Sequence, residues 1–235
     1  MTDDDLFQTI SEMVMCHSPS GLESEIDVYL TAALKACGVD HRQDAAGNLI
    51  AKISGRKAGA AIAITAHKDE IGAIVKSIDA DGRIRIRKLG GSYPWVYGEG
   101  VVDLLGDREI VSGVLSFGSR HVSHESPQKV QQDEAALSWD AAWVDAKRSP
   151  AQLAQAGVRP GTRLVVGKHR KRPFRLGDYI ASYALDNKAS LAVLLMLAPA
   201  LRDPAGDVYL VASAQEEVGA IGAMFFTPRQ LLTAA

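Results

Sequence analysis

The sequence predicts an α/β protein in which a parallel-rich mixed sheet is flanked by helices and interrupted by a small inserted β-barrel. Three observations support this fold class. The first 37 residues carry apolar side chains at helical spacing, residues 60–66 and 207–214 are apolar runs typical of buried strands, and glycines punctuate much of the stretch between these runs. Strands and helices that alternate in this way favour a sheet covered by helices.

Length and composition favour one folded domain that carries an insertion. The chain has 235 residues, of which 47% are hydrophobic and 23% are charged, close to the ordinary globular average. This composition excludes disordered, collagen-like and coiled-coil proteins. We assign residues 1–71 and 169–235 to the core domain and residues 72–168 to the insertion.

Charge and hydropathy exclude two classes of partner. The formal net charge is −2, so no overall field attracts nucleic acid or an anionic membrane, and no apolar run approaches the roughly 20 residues of a membrane helix. Two cysteines, Cys16 and Cys37, favour a reducing compartment, and the acidic amino terminus is unlike a secretory signal. We expect a cytoplasmic protein without a nucleic-acid or membrane partner.

The elements before the insertion follow from local patterns. Two helices are predicted within residues 1–37, the second opened by Ser20 and Glu23, which have capping-box spacing. A short strand is expected at 49–53. Residues 60–66 then form a continuous apolar run, the pattern of a strand buried on both faces, and this strand ends at His67.

Within the insertion, Arg83 to Arg87 alternate strictly between arginine and isoleucine, which indicates a strand with one face in water. Closely spaced glycines favour short strands of a small barrel, with one brief helix from Ser149-Pro150 to Ala156. The basic run from Lys168 to Arg172 lacks interleaved aromatic residues, so we interpret it as a solvated loop or an oligomer contact rather than a nucleic-acid site.

Three predicted buried strands each end next to a side chain that binds metals. His67 ends the first strand, Asp186 follows a strand predicted at 178–184, and Glu217 follows the strand at 207–214. Ligands bind at the carboxyl ends of strands in open α/β sheets. The sequence therefore predicts a metal centre at this edge.

The neighbours of these residues suggest a hydrolase. Asp69 lies two residues after His67, so in an extended chain its carboxylate can hold the imidazole nitrogen opposite the metal. Glu216 and Glu217 are expected to point to opposite sides of a strand end, one binding metal and the other acting as general base. Each piece also has a simpler explanation: a surface His-Asp pair, a solvated Glu-Glu pair, and Asp186 as a helix N-cap.

The same residues resemble a known family. Three segments carry the resemblance: Ala66-His67-Lys68-Asp69-Glu70-Ile71-Gly72, Ala184-Leu185-Asp186-Asn187-Lys188, and Gln215-Glu216-Glu217-Val218-Gly219-Ala220-Ile221-Gly222-Ala223. Together they are similar to the glutamyl aminopeptidase and tetrahedral aminopeptidase family of dinuclear metallopeptidases, some of whose members are labelled cellulase M or endoglucanase. The similarity extends to Pro19-Ser20-Gly21-Leu22-Glu23, to Gly47-Asn48-Leu49 and to the β insertion.

The resemblance implies a zinc-peptidase-like core that acts on peptides, with an insertion used for assembly into homo-oligomers. It implies two divalent metal ions, with zinc or cobalt expected. By position, His67 would bind one ion, Asp186 would bridge both and Glu217 would bind the second. Glu216 would be the general base, and Asp69 would orient His67. The same comparison marks His121 as a recurrent family histidine, to which we assign no metal role.

The chain departs from the family pattern after Glu217. The family supplies two further ligands there, an acid and a late histidine, whereas residues 218–235 contain no Asp, Glu, His or Cys. Thr227-Pro228-Arg229-Gln230 has the chemistry of a helix start close to the last residue. We expect a fragment, a frameshifted product or a natural truncation. Two alternatives to an aminopeptidase remain: a catalytically incomplete member that only binds or assembles, and an enzyme that cleaves other amides such as acylated amino acids.

Overall fold

A computed structural model describes residues 2–57, 61–118 and 137–226. The chain divides into two compact units, which we call the core unit (Met1–Glu70 with Lys171–Ala235) and the barrel unit (Ile71–Arg170). His121 and the segment 227–230, both singled out in the sequence, lie outside the described residues. In the part that the structure describes, no helix is both long enough and apolar enough to cross a membrane.

The described helices are α1 Asp3–Met15, α2 Ser24–Ala36, α3 Pro94–Tyr97, α4 Pro150–Ala156, α5 Lys168–Lys171, α6 Leu185–Ala200 and α7 Ile221–Phe226, with a 3-10 turn at Trp139–Ala141. The described strands are β1 His41–Gln43, β2 Leu49–Ile53, β3 Ile62–His67, β4 Gly72–Ile78, β5 Ile84–Leu89, β6 Gly100–Leu105, β7 Ile110–Ser116, β8 Trp143–Asp145, β9 Arg163–Val166, β10 Phe174–Leu176, β11 Tyr179–Ala181 and β12 Val208–Ser213.

The core unit contains a mixed sheet in the order β1-β2-β12-β3. Strand β12 runs antiparallel to β2 and parallel to β3, with Ser213 paired to His67 at the carboxyl end. Helices α1, α2 and α6 contribute most of the apolar core packed with the sheet, including Met13, Leu30 and Leu191. Phe226 of α7 packs in a second cluster with Ile50 and Val211. The predicted α/β class, with a sheet flanked by helices, is confirmed.

Strand β3 is less buried than its composition predicts. Ile62 is 61% exposed and Ile64 is 39% exposed, because β3 lies at the edge of the four-stranded sheet. The prediction of burial on both faces is wrong for this strand. An apolar run indicates a strand but does not fix its place in the sheet.

The strand predicted at 178–184 is also placed differently. Strand β11 pairs with β10 in a separate two-stranded antiparallel sheet, outside the four-stranded sheet. Its residue Tyr179 is 78% exposed, and Phe174 and Leu176 of β10 are more than half exposed. The prediction of a third buried strand leading to Asp186 is therefore wrong. Asp186 lies instead in the first turn of α6.

The barrel unit matches its sequence pattern closely. Its six strands close in the order β4-β5-β8-β7-β6-β9, and all described pairs are antiparallel. Ile84 and Ile86 are buried, whereas the arginines between and beside them are not. Helix α4 begins after Ser149, whose side chain forms a capping box with Gln152. The predicted small barrel is confirmed.

Candidate metal centre

The sheet brings two of the predicted site segments to one edge. His67 is the last residue of β3, and the segment with Glu216 and Glu217 follows β12, which runs parallel to β3 and ends at Ser213. Because parallel strands end at the same edge, their following loops meet there. The first turn of α6 adds Asp186.

The three predicted acidic residues of the site, Asp186, Glu216 and Glu217, lie around the His67 imidazole. Nε2 of His67 lies 3.0 Å from Oδ1 of Asp186 and 3.8 Å from Oε2 of Glu216. Ligand atoms of His67, Glu216 and Glu217 lie within 4.8 Å of one another. His67 is buried, whereas the side chain of Asp186 is 87% exposed. The cluster therefore combines a fixed buried imidazole with carboxylates that face the surface.

Asp69 lies on the other side of the ring. Nδ1 of His67 is 3.1 Å from the main-chain carbonyl of Asp69 and 3.4 Å from its Oδ1. A partner at this nitrogen fixes which tautomer is present and leaves Nε2 for a metal. The structure thus places Asp69 beside the nitrogen that the sequence spacing predicted. The carbonyl, which the sequence does not reveal, is the closer partner.

The same carboxylate holds the segment after β12. Oδ1 of Asp69 accepts a hydrogen bond from the main-chain N–H of Glu216 at 2.9 Å, and Oδ2 accepts one from that of Glu217 at 3.2 Å. Gln215 has φ 55°, so the chain bends before the two glutamates. The expected strand-end geometry is wrong, because β12 stops at Ser213 and both acids turn towards His67.

The capping box predicted for Ser20 and Glu23 is also absent. Helix α2 begins at Ser24, and its N-cap Glu23 makes no side-chain capping bond. Ser20 Oγ donates to Asp69 Oδ2 at 2.6 Å, and Glu23 Oε1 accepts from the N–H of Gln215 at 3.1 Å. Both residues support the site loops instead of the helix. Local spacing cannot distinguish these roles, since the partners are distant in the chain.

Lys68, which follows His67 at the end of β3, is buried. Its Nζ forms a short ion pair with Asp27 and lies 3.3 Å from Glu23 Oε2. Lys171, in the basic run that we interpreted as a solvated loop or oligomer contact, is fully buried as well. For Lys68, one signal in the sequence could have indicated this burial: the polar residues Lys68 to Glu70 directly follow His67 at the end of a strand, as expected where a strand end carries a site.

The electrostatics of the cluster suit a cation. Burial disfavours a charged imidazole, but Asp69, Asp186 and Glu216 outweigh it and raise the pKa of His67 to about 9. Burial raises the pKa of Glu217 to about 7, and the carboxylates of Asp69, Glu216 and Asp186 add to this increase against the opposing effect of His67. Carboxylates that repel one another around one imidazole are stabilised by positive charge.

The donor set fits a divalent metal ion. One imidazole and three carboxylates are ligand types used for zinc, cobalt and manganese. The imidazole is also held from its far side, which is how protein metal sites commonly orient a histidine ligand. Among the described residues, His67, Glu216 and Glu217 offer ligand atoms close enough together to hold such an ion, and Asp186 Oδ1 lies 3.0 Å from Nε2 of the same imidazole.

Comparison with known proteins shows the family of this chain. A sequence model of the family described as M42 glutamyl aminopeptidase matches residues 47–235. A lysyl aminopeptidase of Pyrococcus furiosus is 29% identical over 192 residues, which cover 81% of this chain and 53% of the relative. A glutamyl aminopeptidase of Lactococcus lactis is 29% identical over 232 residues, which cover 96% of this chain and 63% of the relative. The chain thus spans between half and two thirds of these curated relatives.

A solved structure agrees with the fold. The TET1 peptidase of Pyrococcus horikoshii superposes with a TM-score of 0.82 at 26% sequence identity, covering 95% of this chain and 65% of that structure. Its description states that this peptidase can assemble into a tetrahedron or a large octahedral shell. The family model, the relatives and this structure agree with the resemblance carried by the sequence motifs.

Proposed function

Because this chain belongs to the M42 glutamyl aminopeptidase family, we propose that it carries metal-binding and catalytic residues of a metal-dependent aminopeptidase. The observation that supports this proposal is the convergence of His67, Asp186, Glu216 and Glu217 at one sheet edge. These residues come from three distant parts of the chain. A chance surface cluster would not require the buried network that holds them.

In this proposal His67, Asp186 and Glu217 would hold two divalent metal ions, zinc or cobalt. Bound ions of this kind polarise a scissile carbonyl and lower the pKa of a bound water to about 7. Glu216 takes a proton from the attacking water and gives it to the leaving amine. Asp69 keeps the His67 ring oriented through Nδ1 and keeps both glutamates directed towards it through their main-chain N–H groups.

The substrates in this proposal are peptides with a free amino terminus. The names of the two curated relatives support this class. We further propose that the protein forms homo-oligomers through the barrel unit, by analogy with the assembling Pyrococcus horikoshii peptidase.

A paired assay tests the activity. The chain is loaded with Zn²⁺ or Co²⁺, and release of the first amino acid is followed on a short peptide and on the same peptide with an acetylated amino terminus. We expect metal-dependent release from the free peptide alone. Cleavage of the acetylated peptide at an equal rate would instead favour the alternative of an enzyme that cleaves other amides, such as acylated amino acids.

Equilibrium dialysis tests the metal centre separately from the reaction. Uptake of two ions per chain is the expected result, and His67→Ala is the matched variant that should lose it. No uptake by the wild-type chain would support the alternative of a catalytically incomplete member that only binds or assembles.

A further inference from the structure

Glu70 lies at the centre of a buried charged cluster that the proposed chemistry does not use. Glu70, Lys171 and Lys188 are each 3% exposed or less. Nζ of Lys171 lies 2.6 Å from Glu70 Oε2, and Nζ of Lys188 lies 3.2 Å from Oε1. Burial opposes the charged carboxylate, but the two lysines outweigh it and lower the pKa of Glu70 to about 2. Glu70 is therefore a charged group in the interior at neutral pH.

Stability alone is a weak reason for such a cluster. Removing charges from water is costly, and well-packed apolar side chains of similar volume often stabilise a fold as well or better. The cluster also places two buried lysine charges against a single carboxylate, so the charges of these three residues do not cancel. Ionic groups do contribute directional hydrogen bonds, and these bonds fix the positions of particular backbone segments.

The contacts of the cluster tie down residues 16–18. Oε1 of Glu70 accepts a hydrogen bond from the N–H of Ser18, and the N–H of Glu70 donates to the Ser18 carbonyl, both at 2.9 Å. Lys188 Nζ donates to the Cys16 carbonyl at 2.6 Å, and Lys171 Nζ lies 3.1 Å from Nδ1 of His17. These bonds leave this segment little freedom to move relative to Glu70.

The same contacts link two parts of the metal centre. Glu70 directly follows Asp69 in the loop that begins at His67, and Lys188 lies two residues after Asp186 in the first turn of α6. The bond between Glu70 and Lys188 therefore joins the loop that carries the imidazole to the turn that carries the Asp186 carboxylate. The side chain of Asp186 is itself exposed, so its place beside His67 depends on where this turn is held.

We propose that Glu70 is a positioning residue of the metal centre. By binding Lys188 and the 16–18 segment from the interior, it sets the position of the Asp186 turn relative to His67 and so the geometry in which both side chains bind metal. Lys171 completes the charge of the cluster without contacting the Asp186 turn. This inference rests on the proposed function, since it concerns the residues assigned there to the metal ions.

The test measures Co²⁺ binding and the visible absorption of bound Co²⁺, which reports ligand geometry. Lys171→Met is the reference, because it leaves Glu70 paired with Lys188 alone. Adding Glu70→Gln to Lys171→Met removes the carboxylate charge. Because Lys171 is already replaced, only Lys188 then loses its charged partner. We expect Lys171→Met to keep the wild-type affinity and spectrum, and the double variant to bind Co²⁺ about 10- to 100-fold more weakly with an altered spectrum, as for other residues that orient metal ligands.

A core variant separates positioning from general destabilisation. Leu34→Ala in α2 removes a buried apolar side chain remote in sequence from the site loops. It should lower thermal stability and leave Co²⁺ affinity and spectrum unchanged. Equal Co²⁺ binding by Lys171→Met with and without Glu70→Gln would overturn the positioning role, as would equal losses in the Leu34→Ala variant.

Hydrogen exchange tests the proposal without any metal. The double variant should exchange faster than Lys171→Met in residues 16–18 and at the start of α6, but not in α2. Unchanged exchange in these segments would overturn the proposal. If the wild-type chain takes up no Co²⁺, the proposed metal centre is wrong, and this exchange measurement still decides whether Glu70 holds the two segments together.

Discussion

The barrel unit buries apolar side chains in strand β5, whereas the core unit buries polar side chains at the end of strand β3. In β5 of the barrel unit, Ile84 and Ile86 point inward and the arginines between and beside them are outside. At the end of β3 in the core unit the buried side chains are polar instead: His67, Lys68, Asp69 and Glu70 are all buried. The first region is held by apolar packing and the second by polar contacts.

The buried polar residues of the core unit depart from simple folding rules at the proposed site. Buried polar groups destabilise a fold unless each finds a partner, so a run of four demands partners from elsewhere in the chain. Asp69 bonds to Ser20, Glu216 and Glu217, and Lys68 pairs with Asp27 and Glu23. Sites that perform chemistry are where local rules are expected to fail.

The largest expected effect concerns Glu216, the proposed general base in the core unit. Glu216→Gln keeps the shape of the side chain but removes the proton acceptor, so we expect the aminopeptidase rate to fall about 10²- to 10⁴-fold. Metal uptake, measured by dialysis on the same sample, should not change. Lost uptake would contradict the assignment and make Glu216 a ligand.

The next effect is the response of the buried Glu70 to acid. Its pKa is lowered to about 2 from 4.5, so its stabilising contribution is complete above pH 4.5 and is lost as the pH falls towards 2. The difference in unfolding free energy between the wild type and Glu70→Gln should therefore shrink by roughly 3 kcal/mol over that range. Urea unfolding at a series of pH values measures it. A difference independent of pH would show that the carboxylate charge contributes no stability.

A third experiment compares matched aspartates in the two units. Asp69→Asn should weaken metal binding about 10- to 100-fold, because an amide cannot accept all the hydrogen bonds that hold His67 and both glutamates. Asp103 in the barrel unit is also buried and accepts bonds from Ser112 Oγ and the Lys168 N–H. Asp103→Asn should leave metal affinity unchanged. Calorimetric titration with Zn²⁺ distinguishes them, and equal losses would mean that Asp69 has no specific role.

Much of the fold follows from the sequence, and the limits have physical causes. Periodicity predicts the barrel strands and α4 because each pattern is read within a few residues. The segments that carry His67, Asp186 and Glu217 could be named because metal-binding residue types follow predicted strands. Their supports could not: Glu23 and Lys188 act through partners far away in the chain. The wrong prediction of a buried strand at 178–184 has the same origin, because local composition does not determine which strand β11 pairs with.

The smallest expected effect is that of Ile62→Ala. Comparing it with Ile84→Ala tests whether an apolar run or an alternating pattern better predicts which side chains are buried. Ile62 belongs to the apolar run of β3 but is 61% exposed, so Ile62→Ala should change the unfolding free energy by less than about 0.5 kcal/mol. Ile84 in the alternating strand β5 is fully buried, and Ile84→Ala should cost about 2–5 kcal/mol. Urea unfolding of both variants gives the comparison. A large loss for Ile62→Ala would mean that the edge of β3 is covered in solution, and the contrast between the units would then lie in their polar contacts alone.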